Sequence, residues 1–173
     1  MKDYLKLTYK ERLQYSFQLK ILEALYPNEA SYYGNLRKAI EEGYTLNYSD
    51  ISGFISEEEL SINNCREVLD ILDMYRSIIF SYIKLVNEKK NVNLTKDNVK
   101  FPGFDGNEET KLLLYTTYYL DDLNRYSEIK EFSNGYYNSH TQMIDKYRKM
   151  LSCWKQKNKK IMTEEEILSL LNC

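Results

Sequence analysis

The stretch from Ile62 to Glu88 constrains the fold more than any other part of this 173-residue chain. Cys65, Val68, Leu72, Tyr75, Ile79, Tyr82 and Val86 follow one another at alternating spacings of three and four, which is the seam of three heptads. A second apolar stripe, Ile71, Met74, Ile78 and Leu85, runs beside it. At about 100° per residue the two stripes cover well over half of the helix circumference. Only Arg66, Asp70, Asp73, Ser77, Ser81 and Lys84 are left as a polar strip. A helix this apolar needs neighbours on most sides, so it is expected to be the centre of a helical bundle or to carry a subunit interface. The strip is expected to face water or to pair with Arg66, Arg76 or Lys84 at helical spacing.

The flanking sequence also reads as helical. Thr8-Tyr9-Lys10-Glu11 is a capping box, after which Leu13, Phe17, Ile21 and Leu25 stack at i, i+4 on one face. Pro27 stops that helix. Asn28 is positioned to cap a second one with Tyr32, Leu36 and Ile40 inward and Gly43 as its left-handed stop. Tyr44 to Ser56 reads as an irregular joint with room for one short helix, and Asn87 to Lys100 as a polar connection. Phe101 to Asn107 is a turn cluster, with Asp105 and Glu108 as a further cap pattern. The helix after it is expected to run to about Tyr126 with Leu112, Leu113, Thr116, Tyr119, Leu120 and Leu123 inward. After a loop at Ser133 to Ser139, a helix places Met143, Tyr147, Met150, Leu151 and Trp154 on its core side. Thr163 with Glu166 caps a last helix bearing Ile167, Leu170 and Leu171. No internal repeat and no strand pair stands out.

Composition narrows the function classes. The formal net charge is −2, which does not favour nucleic-acid binding for the chain as a whole. Three cysteines, Cys65, Cys153 and Cys173, are far apart with no CxxC, so neither a disulfide framework nor a thiolate zinc site is expected, in keeping with a reducing compartment. The first twelve residues have no apolar secretion signal, and no run approaches the length of a membrane span. The expected setting is cytoplasmic. Tyrosine, with 17 copies, suits half-buried faces and interfaces, because its ring is apolar and its hydroxyl can stay wet.

Five residues are candidates for chemistry. His140, the one histidine, follows Asn138-Ser139 in a loop and could serve as acid or base. A hydrolase would need Ser139 or another nucleophile on His140, with a carboxylate such as Asp105 or Asp73 behind it. The competing reading is that Ser139 caps the next helix and His140 sits in its first turn. Asp70 and Asp73, three apart, could also act as a carboxylate pair. Asp105-Gly106-Asn107-Glu108-Glu109 lacks the spacing of a calcium loop and suits a helix N-terminus instead. No metal or cofactor is expected, and the glycine-rich phosphate loops and the HExxH metal motif are missing.

A charge contrast gives another candidate surface. Residues 141–160 carry Lys146, Arg148, Lys149, Lys155, Lys157, Lys159 and Lys160 against Asp145, a net of +6, with Tyr147 and Trp154 interleaved. Such a pattern can grip phosphates and stack bases. Asp50 to Asp73 carries a net of −6, so the two blocks could instead pair within the fold or between subunits.

Several distinct words in order also resemble the YfbU-like family, over nearly the whole length. They are Glu11-Arg12-Leu13, Gly43-Tyr44, the run Cys65 to Tyr75, Phe101 with Gly103-Phe104-Asp105-Gly106-Asn107, Asn138-Ser139-His140, Tyr147-Arg148-Lys149-Met150-Leu151, and Trp154. Asp122-Leu123-Asn124-Arg125 departs from the Gly-Arg-Tyr corner that the resemblance leads one to expect. The resemblance implies a helical fold and a bacterial cytosolic setting, and supplies no catalytic residue.

The chain is therefore expected to be all-α, a single compact bundle of about six helices spanning residues 1–173 around the long helix at Ile62–Glu88. The function expected is that of a non-enzymatic regulatory or scaffold protein, a homo-oligomer acting through protein contacts. The alternatives are a nucleic-acid-binding protein using the basic 146–160 surface and a small hydrolase centred on His140.

Overall fold

The computed structural model describes residues 5–56, 58–88, 92–157 and 161–173. Their regular secondary structure is helical, and the one β-type pairing among them is an isolated parallel bridge between Phe104 and Asn138. Two compact units are formed, one up to Glu59 and the other from Leu60.

The first unit is a helical hairpin. Helix α1 (Tyr9–Leu25) opens on the capping box expected: the Thr8 hydroxyl accepts from the Glu11 amide and the Glu11 carboxylate accepts from the Thr8 amide. Helix α2 (Ala30–Glu42) ends at Gly43, whose φ of +79° is the left-handed stop. Asn28 does not cap α2. It lies in the 3-10 turn Pro27–Glu29, and α2 starts without a side-chain cap. Leu36 and Ile40 are buried as expected, whereas Tyr32 is 54% exposed. Leu19, Leu36, Ile40 and Tyr48, the last from the 3-10 stretch Thr45–Ile51, make the small core. Polar clamps fix α2 on α1. Arg12 donates from Nε to the Ile40 carbonyl and from Nη2 to the Glu41 carbonyl, both at 2.8 Å, satisfying the end of α2. Arg37 pairs with Glu23 at 2.8 Å. These contacts use α1 through Tyr15, Ser16, Leu19 and Leu22, so the i, i+4 stripe of Leu13, Phe17, Ile21 and Leu25 is turned to solvent.

The second unit is a bundle around α3 (Ile62–Asn87), the helix whose two stripes dominate the sequence. Val68, Leu72, Tyr75 and Ile79 of the seam and all four residues of the second stripe are buried, while Val86, at the fraying end, is 46% exposed. The polar strip is narrower than its sequence suggests, because Ser77 and Ser81 are buried too. Ser81 donates to the Ser77 carbonyl at 2.6 Å and accepts from the Met162 amide at 2.9 Å, so its hydroxyl is an internal tie to the distant segment at Met162. Nor do the strip's acids pair along α3: Asp70 meets Lys155, and Asp73 accepts from the Tyr126 hydroxyl at 2.9 Å.

Against α3 lie α4 (Lys96–Val99), α5 (Thr110–Thr117), α6 (Ser127–Ser133), α7 (Ile144–Lys157) and α8 (Glu164–Leu171). The Thr163–Glu166 capping box opens α8 as expected. Helix α5 stops short of Tyr126 and runs into a wider π-turn at Tyr118–Asp122, where the Leu123 amide reaches back to the Tyr118 carbonyl. Leu123 is consequently 41% exposed rather than inward. The corner beyond it keeps the backbone requirement of a glycine without the glycine: Asn124 has φ +48°, a left-handed conformation that Asn tolerates better than most residues. No helix among the described residues is long and apolar enough to cross a membrane.

Candidate functional site

The two loops that carry the chemical candidates are brought together in the second unit. The Phe104 amide donates to the Tyr137 carbonyl at 2.9 Å, and the Ser139 amide to the Phe104 carbonyl at 3.1 Å. Asn138 locks the pair, its Oδ1 accepting from the amides of Gly106 at 3.1 Å and His140 at 3.0 Å. Under the loops sits an aromatic cluster of Tyr75, Phe101, Phe104 and Tyr147, with ring centroids 5.1–5.9 Å apart. The Tyr147 hydroxyl donates to the Gly103 carbonyl at 2.7 Å. Burial pushes the phenols of Tyr75 and Tyr147 well above their ordinary range, so both stay neutral.

Within this junction each candidate has a bonded partner. The Asp105 carboxylate accepts from the amides of Asn107 at 2.6 Å and Glu108 at 3.0 Å, closing the turn before α5. Those amides, Glu108 first, hold its acidity below the usual carboxylate range, with His140 adding a smaller pull in the same direction. Ser139 donates to the Thr141 carbonyl at 2.6 Å, not to His140. His140 sits at φ +56° in the loop with its Nε2 on the Tyr136 hydroxyl at 2.5 Å. Ser139 therefore does not cap α7, nor does His140 lie in its first turn. That cap comes from Glu109, a buried residue that its sequence context assigns only to the start of the preceding helix. Its Oε1 accepts from Met143 and Ile144 at 2.8 and 2.7 Å, and its Oε2 from Asp105 at 2.9 Å. An acid 34 positions before the amides it caps carries no local signature. Asp73 is held outside the loop pair by Tyr126, over whose ring the Arg76 guanidinium lies at 4.0 Å while pairing with Glu128. Among the described residues no group of three or more His, Cys, Asp or Glu is placed to hold a metal ion.

The basic block meets the acidic one. Arg148 reaches both oxygens of Glu67, Nε at 2.8 Å and Nη2 at 3.0 Å, and Lys155 pairs with Asp70. Tyr147 is fully buried, and Trp154 is half-buried against the core. Lys146 and Lys149 are exposed on α7. Lys157 closes α7 with its side chain outside the described residues, and Lys159 and Lys160 lie outside them altogether.

The first unit carries the larger unsatisfied surface. Tyr9, Leu13, Phe17, Ile21 and Leu25 form a continuous ridge along α1, with exposures from 46 to 78%. Taking roughly 150–250 Å² per large side chain, the ridge leaves on the order of 500 Å² of apolar area in water, more than isolated surface hydrophobes account for. On another face of α1 an apolar cleft of about 550 Å³ opens between Tyr15, Leu19 and Leu22 of α1, Leu36 of α2, and Ile51 and Phe54. The i, i+4 spacing marks the ridge in the sequence. Nothing local shows that it stays uncovered.

Comparison with known proteins completes the picture. The YfbU domain model matches residues 5–173, running through both units. Over 166 residues the chain is 37% identical to the UPF0304 protein MJECS11 of Methanocaldococcus jannaschii, covering 94% of this chain and 96% of that one. With the Phe101–Asn107 turn bonded to the Asn138–His140 loop and a domain match from Leu5 to Cys173, this chain belongs to the YfbU family.

Proposed function

We propose that this protein is a non-enzymatic regulatory or scaffold protein of the cytoplasm that works through protein contacts and self-associates through its first unit. The observation that carries the reading is the uncovered ridge of α1. Burying such a ridge is favourable at about 25 cal/mol per Å², and contiguous apolar patches of this size are characteristic of interaction sites. The hydrogen bonding of the candidate residues points the same way. Ser139 and Asp105 are committed to backbone groups and His140 to the Tyr136 hydroxyl, so among the described residues Ser139, His140 and Asp105 are not linked as a nucleophile, base and carboxylate. Arg148 and Lys155 of α7 pair with Glu67 and Asp70 of α3, which supports a structural use of that part of the basic block.

Sedimentation equilibrium of the purified chain over a range of concentrations tests the reading. A mass above the 20.7 kDa of one chain is expected, falling to one chain in Leu13→Glu. A strict monomer at high concentration overturns it.

A further inference from the structure

The ridge and the cleft of the first unit are both apolar, and they lie on different faces of α1. Phe17 of the ridge and Leu19 of the cleft are two residues apart, about 200° around α1, so one copy cannot lay its ridge into its own cleft. Resting on the self-association proposed above, we infer that the α1 ridge of one copy seats in the α1–α2 cleft of the next. The contact is head to tail, and copies linked in this way close into a ring or extend as a filament.

Three observations favour this occupant. The first is volume. A benzene-sized group needs a cavity of roughly 150 Å³, so a cleft of about 550 Å³ takes the three central ridge side chains, Leu13, Phe17 and Ile21. The second is area. Two ridges meeting across a two-fold axis are both convex and would bury at most about 1,000 Å² together, below the roughly 1,200–2,000 Å² of stable interfaces. A ridge inside a cleft is surrounded by apolar walls and buries more for the same side chains.

The third is charge. Exposed Lys10 adjoins the ridge, and Lys20 lies over the Phe17 ring at 5.9 Å, held only loosely by Glu41 at 3.7 Å. Of the acids of α1, Glu11 is engaged by Thr8 in the capping box and Glu23 by Arg37 of α2. The cleft segment Ile51–Ile55 is bracketed instead by the exposed acids Asp50 and Glu59, and Glu29 lies at the start of α2. A basic-flanked ridge thus meets an acid-flanked cleft, whereas ridge on ridge sets lysines near lysines.

Trans-complementation of full-length chains tests the arrangement. A ridge variant, Phe17→Glu with Ile21→Glu, and a cleft variant, Phe54→Asp with Ile55→Asp, change only side chains that are at least 56% exposed. Far-UV circular dichroism checks that both keep their helix content, and the milder Phe17→Ser and Phe54→Ser serve if either does not. Each variant alone is expected to sediment as a single chain. An equimolar mixture is expected to give twice the 20.7 kDa monomer mass and nothing larger, because one intact ridge then meets one intact cleft. A cleft variant that assembles like the unaltered chain while the ridge variant is monomeric overturns head-to-tail contact in favour of ridge on ridge, and leaves self-association standing. Folded variants that stay monomeric when mixed also overturn it. A monomeric unaltered chain overturns both readings.

Discussion

Glu109 and Ile144 are joined by a 2.7 Å hydrogen bond from the Ile144 amide to the buried Glu109 Oε1, and the same oxygen takes the Met143 amide. The start of α7 is thus capped by a carboxylate carried just ahead of α5. The other oxygen, on the Asp105 amide, ties the same residue to the 101–107 turn. One side chain therefore sets the position of α7, of the turn, and of the loop bonded to it. Glu109→Ala leaves three amides, one buried and two partly buried, without this acceptor and is expected to cost about 2–4 kcal/mol. Glu109→Gln, which keeps one carbonyl oxygen, is expected to cost about half as much. Urea unfolding followed by circular dichroism measures both.

Gly103 is the glycine with least room for a side chain. Its φ is +93°, and a Cβ there would stand 1.7 Å from the Tyr137 carbonyl oxygen, the atom that receives the Phe104 amide. Gly103→Ala must therefore separate the two loops as well as strain the backbone. A loss of at least about 3 kcal/mol is expected, read as a fall of Tm, with the Tyr147–Gly103 bond lost along with it.

Asp105 makes stability depend on acid. Its folded-state pKa is depressed by the amides of Glu108 and Asn107, so its contribution is present above the unfolded value of about 3.9 and is lost as pH falls through the folded value. Asp105→Asn keeps an acceptor oxygen but does not titrate. The variant is expected to be the less stable at neutral pH and to lose less on acidification, the two urea midpoints converging below about pH 4.

The charge pairs between α3 and α7 are half exposed and contribute little to stability. Arg148 is 53% and Glu67 23% exposed at the side chain. A double-mutant cycle with Glu67→Gln and Arg148→Gln is expected to give a coupling below about 1 kcal/mol, shrinking further in salt. In keeping with that internal pairing, fluorescence anisotropy with labelled RNA or DNA is expected to show no binding at physiological salt. Binding that steepens as salt falls, and that is lost in Lys146→Glu with Lys149→Glu, would return α7 to the nucleic-acid reading.

Much of this architecture is local and could be read from residue spacing. The α3 seam, the Thr8–Glu11 and Thr163–Glu166 capping boxes and the Gly43 stop depend on residues three or four apart, and all form as read. Their energetics are settled within one or two turns of helix. What the sequence leaves open is which apolar face is covered. Helix α1 has two such faces, and Arg12, Ser16 and Leu19 bind α2 to one of them, leaving Phe17 and Ile21 in water. Ser81 reads as a solvent-facing residue of a polar strip until the Met162 amide, 81 positions on, needs a buried acceptor. Asp105 and His140 are each held by near neighbours in the chain, the Asn107 and Glu108 amides and the Tyr136 hydroxyl, but the bonds that bring their two loops together, such as that from the Gly106 amide to Asn138, span 32 positions. Periodicity fixes helices because their hydrogen bonds are local. The partners of buried polar groups and the faces left open are chosen by contacts between segments far apart in the chain, which only the tertiary fold brings together.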